Sequence, residues 1–547
     1  MVSRLLRLFV GPSKVHPETA PPSNNGPSSS KSSESRDVQP ASGPVDPHVP
    51  EQYNPGKLDI YLLGISIAVG GQYFGWNSGI SAGIYTVLLA YMIIASGYVT
   101  LCSCLGEING ALPFAGGAYG LARCTLGFYP AFMIGCCDAL EYTAYVSAGV
   151  ISFTNLIAEA APAIEHYRPL LWAIFYATAM AVNIKGARVF WTVNLVLGVV
   201  SLLLLLLFCL GSLPYVDFNT NASGPGSRGV GGFSELMQVL PLTAWFFIGV
   251  EALSLASDSI AQPKTLIPAA QISCISTLVV TGLAVFFVAI SLPPGAASLP
   301  GEEFPFSRGF ALLFNTSRRY AALLSLPATF ATAFGFMWCY GKLICAMATS
   351  RLLLPIFART TPGIETPYAA LLLGSACSYG FCLITYIFPS LTDALFRVCI
   401  LSASVSYTGQ CVGYISLKRN YRNIKSSSFA SPWGVGGAVY SMLVWILTAV
   451  ALIAFQDDGG IAIAAFLLMV AALSTYYFGY ARKRQTFSAQ ENKIMLVAHV
   501  MKFNNNKVAA RRHKSGQRTR GGTESSQSEK SRKMLVVPFT KHVPHRP

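Results

Sequence analysis

"GGQYFGWNSG", residues 70–79, lies inside an apolar stretch that runs from about Leu58 to Ala90. Four glycines, with Tyr73-Phe74 and Trp76-Asn77 between them, stand where a membrane-spanning helix would carry Leu and Val. Glycine weakens a helix interior, because its backbone loses the most freedom on ordering. At membrane depth no water is available to take freed N–H and C=O groups, so a chain that leaves the helix there must line a cavity or be buried in protein. The stretch therefore predicts a broken membrane helix, interrupted between Gly70 and Gly75, whose exposed backbone faces a site.

Composition agrees with a membrane setting. The 547 residues are 52% hydrophobic and only 12% charged, against about 25% charged in a soluble domain, so too little charge remains to coat a water-facing surface. A spanning helix needs about 20 apolar residues. Twelve segments offer such runs, at approximately 58–80, 84–106, 126–157, 168–184, 188–213, 237–261, 268–292, 321–349, 367–388, 391–416, 435–456 and 460–481. The predicted fold class is an all-α polytopic membrane protein with twelve transmembrane helices spread over residues 58–482.

The flanks read differently. Residues 1–57 are rich in Ser, Pro and Asn and too poor in apolar groups to offset the entropy of ordering, which predicts a disordered arm. Residues 483–547 form a basic tail that includes "AARRHKSGQRTR". A basic run directly behind a spanning helix orients that helix and meets anionic lipid, so the net charge of +15 implies a bilayer partner and no nucleic acid. Lys and Arg concentrate in loops that lie inside if both tails are cytoplasmic, as at Lys185, Arg188, Lys264, Arg351 and Arg359. The same topology places both glycosylation sequons, Asn221-Ala-Ser and Asn315-Thr-Ser, outside. A glycoprotein of the plasma membrane with both termini cytoplasmic is the expectation.

Enzymatic signatures are missing. The sequence has no His-Glu-x-x-His and no nucleotide loop, and its paired cysteines lack zinc-ligand spacing. No catalytic residue, metal or cofactor is assigned.

A second irregular segment stands five segments further on. "LPLTAWFFIGVEALSLASDSIAQPKTLIPAA", residues 240–270, carries the aromatic trio Trp245 to Phe247, then Gly249, then Glu251 inside apolar sequence. Interrupted helices at corresponding positions of two halves mark transporters with inverted repeats, in which the half-helix ends face substrate. The spacing predicts a five-plus-five repeat, over about 58–213 and 237–416, with two further helices at about 435–481.

At this point the sequence resembles the amino acid/polyamine/organocation transporter superfamily. The loop "GEINGALPFAGGAYGLARCTLGFYP" is similar to that family's inner loop, with Glu107, Pro113, Gly116, Gly117, Tyr119, Arg123 and Gly127 at the family's places. "YFGWN" at 73–77, "EY" at 141–142 and "AWFFIGVEAL" from Ala244 look most like the ethanolamine permease branch. The resemblance implies a leucine-transporter-like fold, alternating access and a small amine or amino acid as cargo. Two departures stand out: Asp258 and Ser259 where the branch carries two adjacent carboxylates, and a loosely kept Ser-Arg-x-Gly-x-x-Pro in "ATSRLLLP", residues 348–355.

The acids inside apolar sequence name the cargo's charge. Asp138, Glu141, Tyr142 and Tyr145 recur at helical spacing and share one face. A carboxylate at a helix centre costs about 2.5–3.5 kcal/mol to insert, so these groups and Glu251 should face a wet cavity or a partner. The expected substrate site comprises Gly70, Gly71, Tyr73, Phe74, Gly75, Trp76, Asn77, Asp138, Glu141, Tyr142, Tyr145, Trp245, Phe246, Gly249 and Glu251. The carboxylates would neutralise an ammonium and the aromatic faces would hold it. A secondary active transporter for a small organic amine is the favoured reading, ethanolamine-like, with proton coupling left open. A permease for zwitterionic amino acids and a nutrient receptor that binds without moving its ligand are the alternatives.

Overall fold

The structure is a computed structural model that describes residues 53–222, 231–361, 366–421, 426, 428–456, 459–497 and 500. Most of the N-terminal arm, the tail beyond residue 500 and the charged loop positions Arg422, Lys425, Asp457 and Asp458 fall outside the described residues. The described chain is helical, with long helices α1 (Lys57–Ala68), α2 (Ile84–Ala111), α3 (Ala118–Thr125, a short loop helix), α4 (Phe128–Ala160), α5 (Arg168–Ile184) and α6 (Ala187–Gly211) in its first half. The second half contributes α7 (Pro263–Ile290), α8 (Leu326–Thr349), α9 (Tyr368–Ile387), α10 (Thr392–Asn420), α11 (Gly434–Ala454) and α12 (Ile461–Tyr476). Among the described residues, eight helices are long and apolar enough to cross a membrane, and a ninth span arises if Phe233–Phe246 and Val250–Asp258, bent by 40°, count as one. The remaining apolar segments fall short for local reasons. The first is interrupted, α5 is only 17 residues long, and α4 carries Asp138 and Glu141 within its 33 residues.

The first segment does not break where its glycines begin. After α1 the chain stays helical from Gly70 to Tyr73, then opens at Phe74, whose backbone is extended at φ −153° and ψ 163°. Gly75 follows at φ +93°, a conformation that a side chain disfavours, and a 3-10 turn resumes over Asn77–Ala82. The break is therefore Phe74–Trp76, later than the expected Gly70–Gly75. Gly70 and Gly71 serve close approach instead: a Cβ on Gly70 would stand 2.9 Å from Cβ of Thr332, and one on Gly71 would overlap the Trp245 carbonyl.

Small residues set the other helix contacts, as is common where lipid gives no hydrophobic drive for association. Gly149 of α4 faces Ala333 of α8, and Gly97 of α2 faces Val444 of α11. α4 packs on α8, α9 and α10, whereas α7 packs on α1 and α2. The first segment thus lies between α7 and α8, in contact with Val250–Asp258 of the sixth. The two interrupted segments cross where Gly71 meets the Trp245 carbonyl.

Candidate functional site

The crossing is built by glycine. Gly71 admits the backbone of Trp245, Gly75 lies under the Trp245 indole, and Gly249, in the left-handed region at φ +101°, leaves room for Phe336 and Ile67. Two backbone amides beside the crossing are held by side chains. Gly70 N donates to Oγ1 of Thr332 at 3.0 Å, while that hydroxyl donates to the carbonyl of Ser66 at 3.0 Å. Gly249 N donates to Oε2 of Glu251 at 3.1 Å, so Glu251 caps its own half-helix.

Three carboxylates gather beside this crossing. Glu141, Asp138 and Glu251 are 0%, 2% and 3% exposed, which puts all three out of reach of solvent. The hydroxyl of Tyr407 donates to Oε1 of Glu141 at 2.5 Å, and Tyr98 reaches Tyr407 at 3.5 Å. The charges of Glu251 and Asp138 both bear on Glu141. One oxygen of each acid, Asp138 Oδ1, Glu141 Oε2 and Glu251 Oε1, has no hydrogen-bond partner among the described residues, and neither has the Tyr145 hydroxyl. Lys342 offers no relief, because its ammonium lies 3.2 Å from Asp258 instead. Buried acceptors left unpaired are costly, so the cluster is chemically fit to take protons or a cationic group.

Aromatic rings wall the same space. Tyr145 meets Trp245 edge-on with centroids 5.4 Å apart and Phe336 at 5.3 Å, Tyr142 meets Phe336 at 5.7 Å, and Phe74 lies 6.0 Å from Trp245. Ring faces beside acids suit an ammonium.

Of the residues expected from sequence, Gly71, Phe74, Gly75, Glu141, Tyr142, Tyr145, Trp245, Gly249 and Glu251 come together here, with Asp138 close by. Gly70 packs on Thr332 one turn away. Tyr73 turns to α6, donating to Ser201 O at 2.7 Å with its ring on Phe306. Trp76 and Phe246 pack against one another as a tilted pair with centroids 5.0 Å apart within the core, the Trp76 indole donating to Gln72 O. Asn77 binds the loop between α7 and α8, donating to the carbonyls of Leu299 at 2.7 Å and Glu302 at 2.6 Å. Sequence reading missed Tyr98, Phe336 and Tyr407, which share their helices with other aromatics and carry nothing in the sequence to set them apart.

Both faces of the site are tied shut. At the N-terminal end of α2, the loop that Asn77 holds is clamped by the fully buried Arg308, which donates to Glu302 at 2.5 Å, to Gly295 O at 2.9 Å and to Ser298 at 2.8 Å. At the C-terminal end of α2, Ser257 donates to Phe114 O at 2.8 Å, Asn109 donates to Ser254 at 3.0 Å, and Lys342 pairs with Asp258. Each of these ties joins the second half of the broken sixth segment to a neighbouring helix or loop.

Comparison with known proteins adds an independent line. A family model described as amino acid permease matches residues 57–478. The chain is 24% identical to the methylthioribose transporter of Bacillus subtilis (strain 168), over 78% of this chain and 93% of that protein. It is 24% identical to the human cationic amino acid transporter 4, over 69% of this chain and 60% of the human one. With the arginine/ornithine antiporter of Pseudomonas aeruginosa it shares 24% identity, over 60% of this chain and 70% of the antiporter.

Proposed function

We propose, starting from the premise that this chain belongs to the amino acid permease family, that it is a secondary transporter whose central acids recognise the protonated nitrogen of a small amine or amino acid. The observation that carries the reading is the set of spare carboxylate oxygens on Asp138, Glu141 and Glu251 at the crossing of two broken segments. Twelve spanning helices in two inverted repeats, with both termini cytoplasmic in the plasma membrane, complete the architecture. An ethanolamine-like amine is the favoured cargo: it would place its ammonium between Glu141 and Glu251, under Trp245 and Tyr145, and its other polar end toward the break at Phe74–Trp76. Two of the relatives named above bear the names of cationic amino acids, which supports a charged nitrogen as the recognised group. Methylthioribose carries no amine, so a neutral solute belongs in the test. In sealed proteoliposomes, radiolabelled ethanolamine should accumulate and be displaced by unlabelled amine better than by a neutral α-amino acid or a diol. Stronger displacement by the amino acid would assign the zwitterionic reading, and binding without accumulation would remove transport.

Alternating access requires the inner ties to break in each cycle. Asp258→Asn and Lys342→Gln should each change the uptake rate, and the double variant should change it no further than one of them, because the two act as one pair. Their coupling should be about 0.2–1 kcal/mol, in keeping with a partly exposed ion pair. Additive effects would mean that the contact does not gate.

The topology has its own check. Asn315 is exposed in an outer loop, whereas the Asn221 side chain is partly buried and donates to Ser291 O at 2.9 Å. In a glycosylating cell Asn315→Gln should remove more glycan than Asn221→Gln, and a glycan surviving the double variant would overturn the assigned orientation.

A further inference from the structure

The chain that leaves α12 does not run straight into the cytoplasm. Residues 486–491 lie across the inner face and are pinned from three sides. Thr486 N donates to Ser350 O at 3.0 Å, and the Arg123 guanidinium donates to Thr486 O at 2.6 Å while lying against the rings of Phe128 and Phe487 at 5.1 and 5.0 Å. Glu491, 8% exposed, is the centre of the arrangement. Its carboxylate accepts from Tyr119 at 2.9 Å, from Ser350 at 2.8 Å and from Ser488 N at 2.8 Å. Arg123 Nε stands 3.3 Å away, paired by charge although its N–H is not aimed at the oxygen.

"SAQE", residues 488–491, explains part of this. Ser488 Oγ accepts from Glu491 N at 3.1 Å and the Glu491 side chain accepts from Ser488 N, a reciprocal capping box for the helical residues that follow. A capping glutamate on a helix with no other duty can stay in water. This one is buried and spends its remaining capacity on α3 and on the end of α8.

What α3 touches on its other side gives the contact a consequence. Gly117, which opens α3, packs against Leu255 and Ser254, and Phe114 O accepts from Ser257. All three partners lie in the second half of the broken sixth segment. The tail, the inner loop and that half-helix therefore form one continuous stack.

We infer that residues 486–491 are an inner strap, with Glu491 as a positioning residue that holds the loop Phe114–Thr125 against the sixth segment and so favours the inwardly closed state. The inference rests on the transport reading for its purpose, though not for its test. Glu491→Gln keeps the shape and removes the charge. In full-length protein in liposomes, the reporter is Cys124, a half-buried free thiol on α3, whose modification by N-ethylmaleimide is followed by peptide mass spectrometry. Losing the weight of one charge-assisted hydrogen bond should raise the labelling rate about tenfold, and the maximal uptake rate should change with it. Tyr119→Phe, a milder change that deletes one hydrogen bond onto Glu491, should shift labelling in the same direction by less, and it keeps the test open if Glu491→Gln does not accumulate. Wild-type labelling rates in the folded fraction of the variants would overturn the strap. A labelling difference in a protein that shows no uptake would support the strap and count against transport.

Discussion

Gly71→Val should reduce uptake by at least about a hundredfold while the protein still inserts in the membrane. A Cβ at residue 71 would overlap the Trp245 carbonyl oxygen and stand 2.7 Å from the carbonyl carbon. Both parties to that clash are backbone, so no rotamer can relieve it, and separating the two segments would also pull Trp245 from Tyr145 and Phe74. Overpacking a tight contact costs about 1–3 kcal/mol and sometimes more, and the upper end of that range corresponds to about two orders of magnitude. Gly380→Val is the matched control, because a Cβ at residue 380 meets nothing within 4 Å. That variant should transport normally. Equal uptake in both would mean that close approach of the two interrupted segments is not needed for function.

The site was legible in the sequence where residues broke the rule of their surroundings. Glycines in an apolar run, and Glu141, Asp138 and Glu251 among Leu and Ala, each carry a cost that only a site or a partner offsets. The matching irregularities of the first and sixth segments pointed to those two segments alone, and the helical spacing of Asp138 and Glu141 only to a shared face of the third. The exact place of the break did not follow, because Gly70 and Gly71 look alike whether a glycine frees the backbone or admits a neighbour. Only the extended backbone of Phe74 and the positive φ of Gly75 separate the two uses.

Other features left no trace along the chain. Tyr407, which donates to Glu141 from 266 positions away, is one tyrosine in a regular helix, and Phe336 reads as ordinary core. Lys342 pairs with Asp258, 84 residues distant, a contact that spacing along the chain does not announce. Glu251 gained a second duty as the cap of Gly249, which periodicity cannot reveal. The basic composition of residues 483–547 likewise masked the docked stretch around Glu491, whose capping-box signature is only four residues long.

In the proposed reading, recognition of the cargo rests on the charge of Glu141. Replacing it with Gln preserves volume and the oxygen that accepts from Tyr407, so packing against Tyr98 and Tyr407 should survive. The lost term is one charge-assisted hydrogen bond to the cargo's ammonium, worth about 1.5–3 kcal/mol, or roughly a tenfold to hundredfold loss of affinity. Glu251→Gln should weaken binding comparably, with a further effect on the half-helix it caps. A neutral diol of the same size, if it binds, should be nearly indifferent to either change.

Equilibrium binding of radiolabelled ethanolamine to purified wild-type protein, Glu141→Gln and Glu251→Gln, all in lipid, is the most direct test. Affinity falling at least about tenfold in both variants, with the diol unaffected, is the expected result; unchanged amine affinity in both would contradict recognition of a charged nitrogen by these acids.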